Sequence, residues 1–352
     1  MITLTHGSIS KIPIDGYKSP IYHIKDVTFN GVTDDNLFIP GNSFIVTADN
    51  WQYAHLIQEC IGHYEFLRQY IPDLKIYFIM PNNPQPGLFE KQDEFGGLIY
   101  RDLLIKYNIK KEDILVYSKS LTFENIYYVF NFFTFTIKDN IESNPSIHSH
   151  LHEDFKMQRE TAKIVSELFV PEKIRLPKKN KIFISKRKAD KWYEKFMEKK
   201  AQLRIDYTDD EEFLVQLKKM QGHNDFGAME KNYEIRRYNG QKEIEDFFEE
   251  RGYEIVFAED LGLFEQINKY YNASHVASIN GTGCYNAIFS DRNTKVFMIN
   301  THSQFYWFFD HLLKDRLGED NVFVLPKIDM TTNQAVSIEE IMEELKKIEH
   351  LI

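Results

Sequence analysis

Cysteine is scarce in this sequence, which contains only Cys60 and Cys284. The two residues lie in what the pattern of the chain predicts to be different domains, so we expect neither a disulfide framework nor a cysteine-rich zinc site. Such low cysteine usage favours a protein of a reducing compartment.

Long apolar runs are missing as well. No stretch approaches the roughly 20 apolar residues that a bilayer-spanning helix needs, and the first residues lack the basic region and apolar core of a signal peptide. The densest apolar stretch, residues 126–137, is rich in aromatic and β-branched residues, which is typical of a buried strand. We therefore expect no membrane span and a cytoplasmic location.

Positive charge is in the minority, since 43 Lys and Arg residues stand against 53 Asp and Glu residues and give a formal net charge of −10. A general nucleic-acid binder needs a positive surface that displaces counterions from phosphates, so the composition argues against this class. A small anionic ligand would need a local basic patch.

Aromatic residues, in contrast, are abundant, with 28 Phe and 20 Tyr, and 43% of all residues are hydrophobic. This composition is typical of well-packed globular layers and excludes a disordered chain. At 352 residues the chain exceeds one ordinary core, so we expect two domains of roughly 150 residues each.

Short runs of β-branched or aromatic residues alternate with longer helical patterns, which is typical of parallel strands joined by crossover helices. Polar or Pro-bounded segments at residues 143–150 and 170–177 interrupt this alternation. A charged insertion at about 188–235 either lines a ligand site or forms a solvated helical excursion. The predicted parts are a first domain at residues 1–168, a second domain at 169–336 that contains the insertion, and a closing helix at 337–352.

The individual elements can also be placed on the sequence. Strands are predicted at residues 43–47, 75–80, 114–117, 181–185, 254–257, 275–279, 295–299 and 321–325. Helices are predicted at about 53–69, 153–169 and 260–270, and from 337 onward, where Ser337 is a suitable N-cap.

The strongest local motif lies at residues 278–289, where a strand ends, two glycines make a turn and a helix begins. Glycine permits a positive φ and a close approach of the backbone to a ligand, and the free N–H groups at a helix start attract a diphosphate. A tight strand-to-helix turn without a ligand has the same pattern, so both interpretations stay open. The candidate binding residues of this turn are Asn280, Gly281, Thr282, Gly283, Cys284 and Asn286.

Basic residues surround the strand predicted at 181–185. Lys186 and Arg187 come directly after that strand, so we expect them at the carboxyl edge of the sheet, where an arginine can bind phosphate oxygens with two donors. The alternative is a basic linker surface, which suits the lysines before the strand better than it suits Arg187.

Two polar residues, Glu265 and Gln266, lie on the helix predicted to lead into the strand before the glycine turn. A glutamate and a glutamine at this place can contact the ribose or base of a nucleotide. A solvated Glu-Gln pair on a helix surface is the alternative.

In the first half, His55 and Glu59 are four residues apart on the predicted helix, and His63 continues the spacing. A carboxylate at that distance can orient an imidazole and raise its basicity, which suits a general base. A helical zinc site places two histidines four residues apart, whereas these are eight apart, so the pattern does not favour a metal. A surface His-Glu pair without chemistry is the alternative.

Taken together, these segments resemble the family 61 glycosyltransferases, a group that includes plant xylan arabinosyl- and xylosyltransferases and animal O-linked N-acetylglucosaminyltransferases. Residues 50–59 are similar to the family's Asn-Tyr-Gly-His-Trp-x-x-Asp-like stretch, with His55 in the His place and Glu59 near the acidic place. The Ile-Ser-Lys-Arg run that ends at Arg187 resembles a family strand that ends in Ser-Arg-Arg.

The resemblance continues in the second half. Arg236 and Arg237 precede a helix, a Gly-aromatic pair and a strand in the family's order, and the Glu-Gln helix follows. Residues 280–289 are similar to the family's His-Gly-Ala-Gly-x-x-Asn-x-x-Phe turn, with Asn280 and Thr282 standing where the family has His and Ala.

This resemblance implies an α/β chain with a GT-B fold, in which two Rossmann-like, doubly wound domains face each other across a cleft. It implies an inverting transfer of a sugar from a nucleotide diphosphate sugar, expected to be UDP-linked, to a hydroxyl of a glycan or glycoconjugate. Glu59 or His55 would be the base, and Arg187, Arg237 and the glycine turn would stabilise the leaving diphosphate. Such enzymes typically need no metal or other cofactor, which agrees with the lack of a convincing Asp-x-Asp motif.

Two other functions stay open from the sequence. The first is a different GT-B enzyme, such as a fucosyl- or pyruvyltransferase. The second is a non-catalytic nucleotide- or carbohydrate-binding relative, which the departures at Asn280 and Thr282 motivate.

Overall fold

A computed structural model describes most of the two halves of the chain. The described residues are 4–5, 7–17, 20–29, 33–47, 55–80, 97–109, 115–116, 119–129, 155–169, 180–186, 240–301, 307–326 and 336–352. The chain divides into two compact units, one of Met1–Ile174 with Gly262–Ile267 and one of Arg175–Leu261 with Asn268–Ile352. Each unit contains its own sheet.

The sheet of the first unit is mixed. Its strands are β1 (Leu4–Thr5), β2 (Ile9–Ile12), β3 (Ile21–Phe29), β4 (Thr33–Thr47), β5 (Lys75–Met80), β6 (Leu115–Val116) and β7 (Lys119–Val129). They follow the order β1-β3-β7-β4-β5-β6, with β2 paired to β3. Strand β3 is antiparallel to β1, β2 and β7, whereas β4 is parallel to β5 and β7, and β5 is parallel to β6.

The antiparallel strands of this sheet differ from the parallel strands that the sequence pattern predicts for the first half. The predicted strands belong to β4, β5 and β6, and β7 includes the start of the apolar stretch at 126–137. The sequence pattern does not reveal β3, because Asp26 adopts φ +53° and breaks the alternation of buried and exposed residues along the strand.

Helices of the first unit include a π-helical segment, His55–Gly62, that continues as α1 (His63–Leu67), followed by α2 (Gly97–Lys106) and α3 (Phe155–Leu168). Helix α3 forms because its buried residues recur every three or four positions, at Gln158, Thr161 and Val165. Lys106 at the end of α2 donates to the carbonyl of Leu168 at 2.9 Å, so the ends of α2 and α3 meet.

The sheet of the second unit is parallel throughout. Its strands are β8 (Asn180–Ser185), β9 (Tyr253–Phe257), β10 (Ala273–Ile279), β11 (Lys295–Ile299) and β12 (Val322–Leu325), in the order β12-β11-β10-β8-β9. Each neighbouring pair is parallel. Strand β8 shows why this sheet is readable from sequence, since Ile182, Phe183 and Ile184 are all buried and form the continuous apolar run of a strand covered on both faces.

Helices cover both faces of this second sheet. The helices from residue 241 onward are α4 (Gln241–Glu249), α5 (Leu263–Asn272), α6 (Thr282–Tyr285), α7 (Trp307–Leu317) and α8 (Ile338–Lys347), with 3₁₀ turns at Ala258–Asp260, Asn286–Phe289, Glu319–Asn321 and Glu349–Leu351. The first residues of α5 group with the first unit. Helices α4 and α8 share one core with the strands through Phe248, Ile341 and Phe183. Helix α6 lies on the other face, since Gly283 contacts Ile184, the neighbour of Phe183 along the strand.

The predicted strands of the second half agree with the observed ones to within two residues, and the predicted Ser337 cap is present, with the Glu340 amide donating to Ser337 Oγ at 3.1 Å. The insertion at about 188–235 lies outside the described residues. The domain bounds at 168 and 336 stay predictions.

Candidate functional site

The order of strands in the second sheet defines where a ligand can bind. Counted along the chain, the five strands run 2-1-3-4-5 across the sheet, so the direction of winding reverses between β8 and β10. In open α/β sheets of this order, the connections leave β8 and β10 in opposite directions and open a crevice at their carboxyl ends. The residues that follow these two strands, Lys186 and Asn280, therefore lie at the switch point.

Lys186 and the first glycine of the turn are in direct contact. The Nζ of Lys186 donates a hydrogen bond to the backbone carbonyl of Asn280. Gly281 adopts φ +151° and ψ −165°, and a Cβ at this position would collide with the Lys186 amine. The glycine thus lets a cationic side chain lie across the backbone at the switch point, whereas the binding of an anion by this turn stays a prediction.

The second glycine holds the turn against the sheet. A Cβ at Gly283 would lie 3.0 Å from Ile184 Cγ2, and the Gly283 carbonyl accepts a hydrogen bond from Tyr270 at 2.5 Å. Only a residue without a side chain allows α6 to approach β8 this closely. Gly283 is therefore explained by packing.

A helix follows strand β10 here, as the sequence predicts, but α6 begins at Thr282, between the two glycines, and only four residues are α-helical before the chain continues as a 3₁₀ turn. The amide of Cys284 already donates to the Gly281 carbonyl at 2.9 Å. Burial raises the pKa of the Cys284 thiol, so this side chain stays protonated and packs inside the protein. Asn286 is also buried. The turn consequently offers fewer free amides than a regular helix start.

Amide side chains connect the ends of three strands. The Nδ2 of Asn280 donates to Oδ1 of Asn300 at 3.1 Å, and the Nδ2 of Asn300 donates to the Pro326 carbonyl at 2.9 Å. These residues directly follow β10, β11 and β12. The chain of amides fixes the carboxyl edge beside the switch point.

A buried polar cluster, missed by the sequence interpretation, supports the end of β8. Ser185 donates to Glu245 Oε1 at 2.6 Å, and Gln241 donates to the same oxygen at 2.9 Å. Glu245 is 1% exposed, so helix α4 brings a buried carboxylate to the residue that precedes Lys186. Ser185 and Glu245 are 60 residues apart, and no local pattern indicates their contact.

Glu265 and Gln266 lie in the segment Gly262–Ile267, which groups with the first unit. The Glu265 carboxylate accepts a hydrogen bond from the Gly262 amide at 2.9 Å and so caps the start of α5. Gln266 is 2% exposed. The role of both residues at a nucleotide stays a prediction.

His55 and Glu59, the candidate bases, lie in the π-helical segment His55–Gly62. Segments of π-helix are rare and frequently occur at functional sites. Arg187 and Arg237, which the sequence places in the donor site, lie outside the described residues. In the described part of the chain, no three His, Cys, Asp or Glu side chains converge on a common metal position.

A model of the family described as Glycosyltransferase 61 matches residues 53–297, which is more than half of the chain. The chain belongs to the glycosyltransferase 61 family. The match includes the π-helical segment, β8 and the glycine turn, and it confirms the resemblance stated from the sequence. Membership supports glycosyltransferase activity, with a sugar donor and an acceptor as substrates.

One further comparison and one finding on the helices complete the description of this family member. Curated proteins include no match to the chain. Of the helices in the described ranges, none has the length and apolar character that crossing a membrane requires.

Proposed function

We propose that this glycosyltransferase 61 member transfers a sugar, with inversion, from a nucleotide diphosphate sugar to a hydroxyl of a glycan or glycoconjugate. The observation that carries the proposal is the contact of Lys186 with the Gly281 turn at the reversal point of a parallel sheet. This position is where open α/β sheets bind their ligands. A UDP-linked donor is the form that we propose to test first.

In the proposed reaction, the site must stabilise the nucleotide diphosphate that leaves the donor. The acceptor oxygen forms a bond to the anomeric carbon while the bond from that carbon to the diphosphate oxygen breaks, and the acceptor proton passes to Glu59 or His55. The Lys186 ammonium lies beside the Asn280 carbonyl, and its positive charge at this place can neutralise a phosphate oxygen of the leaving group. Arg187 and Arg237 are proposed to share this task, and the mechanism is proposed to need no metal.

The proposal includes a GT-B arrangement, with the donor in the second domain and the acceptor mainly in the first. Support comes from the division of the chain into two units, each with its own sheet, and from the doubly wound sheet of the second unit. The antiparallel pairings of β3 with β1, β2 and β7 are an addition to the proposed Rossmann-like pattern in the first unit.

Calorimetry with UDP, GDP and their sugar conjugates tests the donor. We expect one nucleotide to bind, and Lys186→Ala to weaken it about tenfold or more, because a charge-assisted hydrogen bond contributes about 1.5–3 kcal/mol. Lys295→Ala is the matched control, since Lys295 begins β11 at the opposite edge of the same sheet. Arg187→Ala is expected to act like Lys186→Ala. If no nucleotide or nucleotide sugar binds, the donor assignment is wrong.

Turnover is tested separately from binding, by nucleotide release from the bound donor with a panel of sugar acceptors. Glu59→Gln or His55→Ala is expected to lower the rate while the donor affinity is unchanged, because the base acts on the acceptor. Full rate in both variants would remove the two residues from the chemistry. Donor binding without release for every acceptor would favour a non-catalytic binding protein, which the replacement of His by Asn280 motivates.

A further inference from the structure

Asn280, Asn300 and Pro326 form a directional chain of hydrogen bonds at the carboxyl edge of the second sheet. Each follows a strand directly, and the backbone amides of the two asparagines donate to the carbonyls of Ile299 and Leu325 at 2.9 and 2.6 Å. Asn280 is 7% exposed and Asn300 is 2% exposed. Strand pairing therefore fixes the positions of both side-chain amides.

The Pro326 carbonyl, at the end of this series of hydrogen bonds, fixes the orientation of both side-chain amides. Pro326 offers a carbonyl oxygen, which only accepts, so Asn300 must present its NH₂ group there, at 2.9 Å. The Oδ1 of Asn300 then faces Asn280 and accepts from its Nδ2 at 3.1 Å. Asn280 has no choice of orientation, and its own Oδ1 must point away from Asn300.

The Oδ1 of Asn280 is buried and makes no hydrogen bond to any group of the described residues. A buried amide oxygen without a donor is costly, so a ligand group that donates a hydrogen bond here would remove that cost. The diphosphate itself cannot serve, because its ionised oxygens only accept. The groups of a nucleotide sugar that flank the diphosphate on both sides are hydroxyl-bearing rings, and hydroxyls donate.

We infer that Asn280 is a specificity-determining residue whose Oδ1 accepts a hydrogen bond from a sugar hydroxyl of the bound donor, either on the ribose or on the transferred sugar. The inference rests on the proposed function, since it assumes that the donor binds at the Lys186–Gly281 turn. Asn300 acts as a positioning residue, which holds the Asn280 amide in the accepting orientation without touching the ligand.

A double-mutant cycle tests the contact. The affinities of the wild type and Asn280→Ala are measured by calorimetry for the nucleotide that binds, for its 2′-deoxy and 3′-deoxy forms, and for the nucleotide sugar with its deoxy-sugar analogues. Removing the right hydroxyl is expected to weaken wild-type binding about tenfold, and to change the affinity of Asn280→Ala by less than twofold. The analogue that shows this coupling identifies whether the ribose or the transferred sugar supplies the donor.

Asn300→Ala provides a second measurement that a merely structural role would not reproduce. This variant frees the Asn280 amide to rotate, so we expect the discrimination between the hydroxyl and deoxy ligands to fall about threefold or more, with little change for the deoxy ligand. If Asn280→Ala does not fold, the measurements on Asn300→Ala still test the inference. Equal losses for every analogue in both variants, or coupling to none, would overturn the inference and leave donor binding intact. Failure of the wild type to bind any nucleotide sugar would instead overturn the proposed function.

Discussion

Glycine is the only residue that suits the backbone at position 281. Its φ of +151° with ψ −165° is accessible almost only to glycine, and a Cβ would lie 2.9 Å from Lys186 Cε. We expect Gly281→Ala to lower the free energy of unfolding by about 1–3 kcal/mol. It should also weaken nucleotide binding, because Lys186 must move away from the turn. Urea denaturation and calorimetry measure the two effects.

Gly252→Ala is the matched control for this substitution. Gly252 has φ +82°, but no atom of the described residues lies within 4 Å of its Cβ position, and it directly precedes β9, on the other edge of the sheet. We expect a loss of stability of about 1 kcal/mol and an unchanged nucleotide affinity. Unchanged affinity in Gly281→Ala as well would contradict the role of the Lys186–Gly281 contact.

Some residues of the candidate site can be recognised from the sequence, and others only from the structure. The glycine turn is visible because two glycines follow an apolar strand within a few positions. The amide chain is not, since Asn280 and Asn300 are 20 residues apart and Asn300 and Pro326 are 26 apart, and only the parallel pairing of β10, β11 and β12 brings them together. In the sequence, Asn280 stands where the family has His and is only a departure from the motif. The structure adds that its side-chain amide has a fixed orientation, because Nδ2 donates to Asn300.

At the scale of elements, both ends of helix α8 carry residues that favour a helix start or a helix end. The Ser337 Oγ accepts from the Glu340 amide, Glu339 and Glu340 are in the first turn, and Lys346 and Lys347 are in the last. We expect Ser337→Ala to lower the free energy of unfolding by about 1 kcal/mol, because one amide of the first turn loses its acceptor. Thermal or urea unfolding measures the change.

Ser337→Asp is the control for this cap. A carboxylate keeps the acceptor and adds a favourable interaction with the start of the helix, so stability should equal or exceed that of the wild type. If Ser337→Ala and Ser337→Asp were equally destabilising, the effect would lie elsewhere than in the hydrogen bond to Glu340.

The two sheets show when strands can be predicted from sequence. In the second unit, strands such as β8 and β11 are buried on both faces and read as short apolar runs between helical patterns. In the first unit, β3 is partly exposed and is interrupted at Asp26, and β4 extends over 15 residues that include Pro40 and Gly41. Proline and glycine in a run indicate a turn, so only the last part of β4 was predicted.

At the scale of the whole molecule, the strand order of the second unit explains why the candidate site residues are distant in sequence. The 2-1-3-4-5 order brings the end of β8 next to the end of β10, although 94 residues separate Lys186 from Asn280. The positive charge that Lys186 brings to this edge is a local feature, because the whole chain has a net charge of −10. If an anionic donor binds here as proposed, Lys186 and the basic residues next to it in sequence offset the repulsion from the rest of the surface.

At the opposite edge of the second sheet, we expect His275 to make the stability of the molecule depend on pH. His275 lies near the start of β10, with its ring 6.3 Å from and parallel to that of Phe297. Burial, together with the positive charges of Lys181 and Lys295, lowers the pKa of His275 to about 4. A backbone hydrogen bond with Leu351 acts in the opposite direction and offsets part of this lowering.

The sign of the effect follows from the two pKa values of His275, about 4 when folded and 6.5 when exposed. Above pH 6.5 the ring is neutral in both states; as the pH falls from 6.5 towards 4, only the unfolded chain binds the proton, so folding stability decreases. Because the ring is partly exposed, we expect a loss of about 1 kcal/mol between pH 7 and 5. His275→Phe, which keeps an aromatic ring beside Phe297, should remove this part of the pH dependence in urea unfolding, whereas His311→Gln, an exposed histidine of α7, should retain it. A wild type and His275→Phe with parallel stability curves over this range would contradict the assignment.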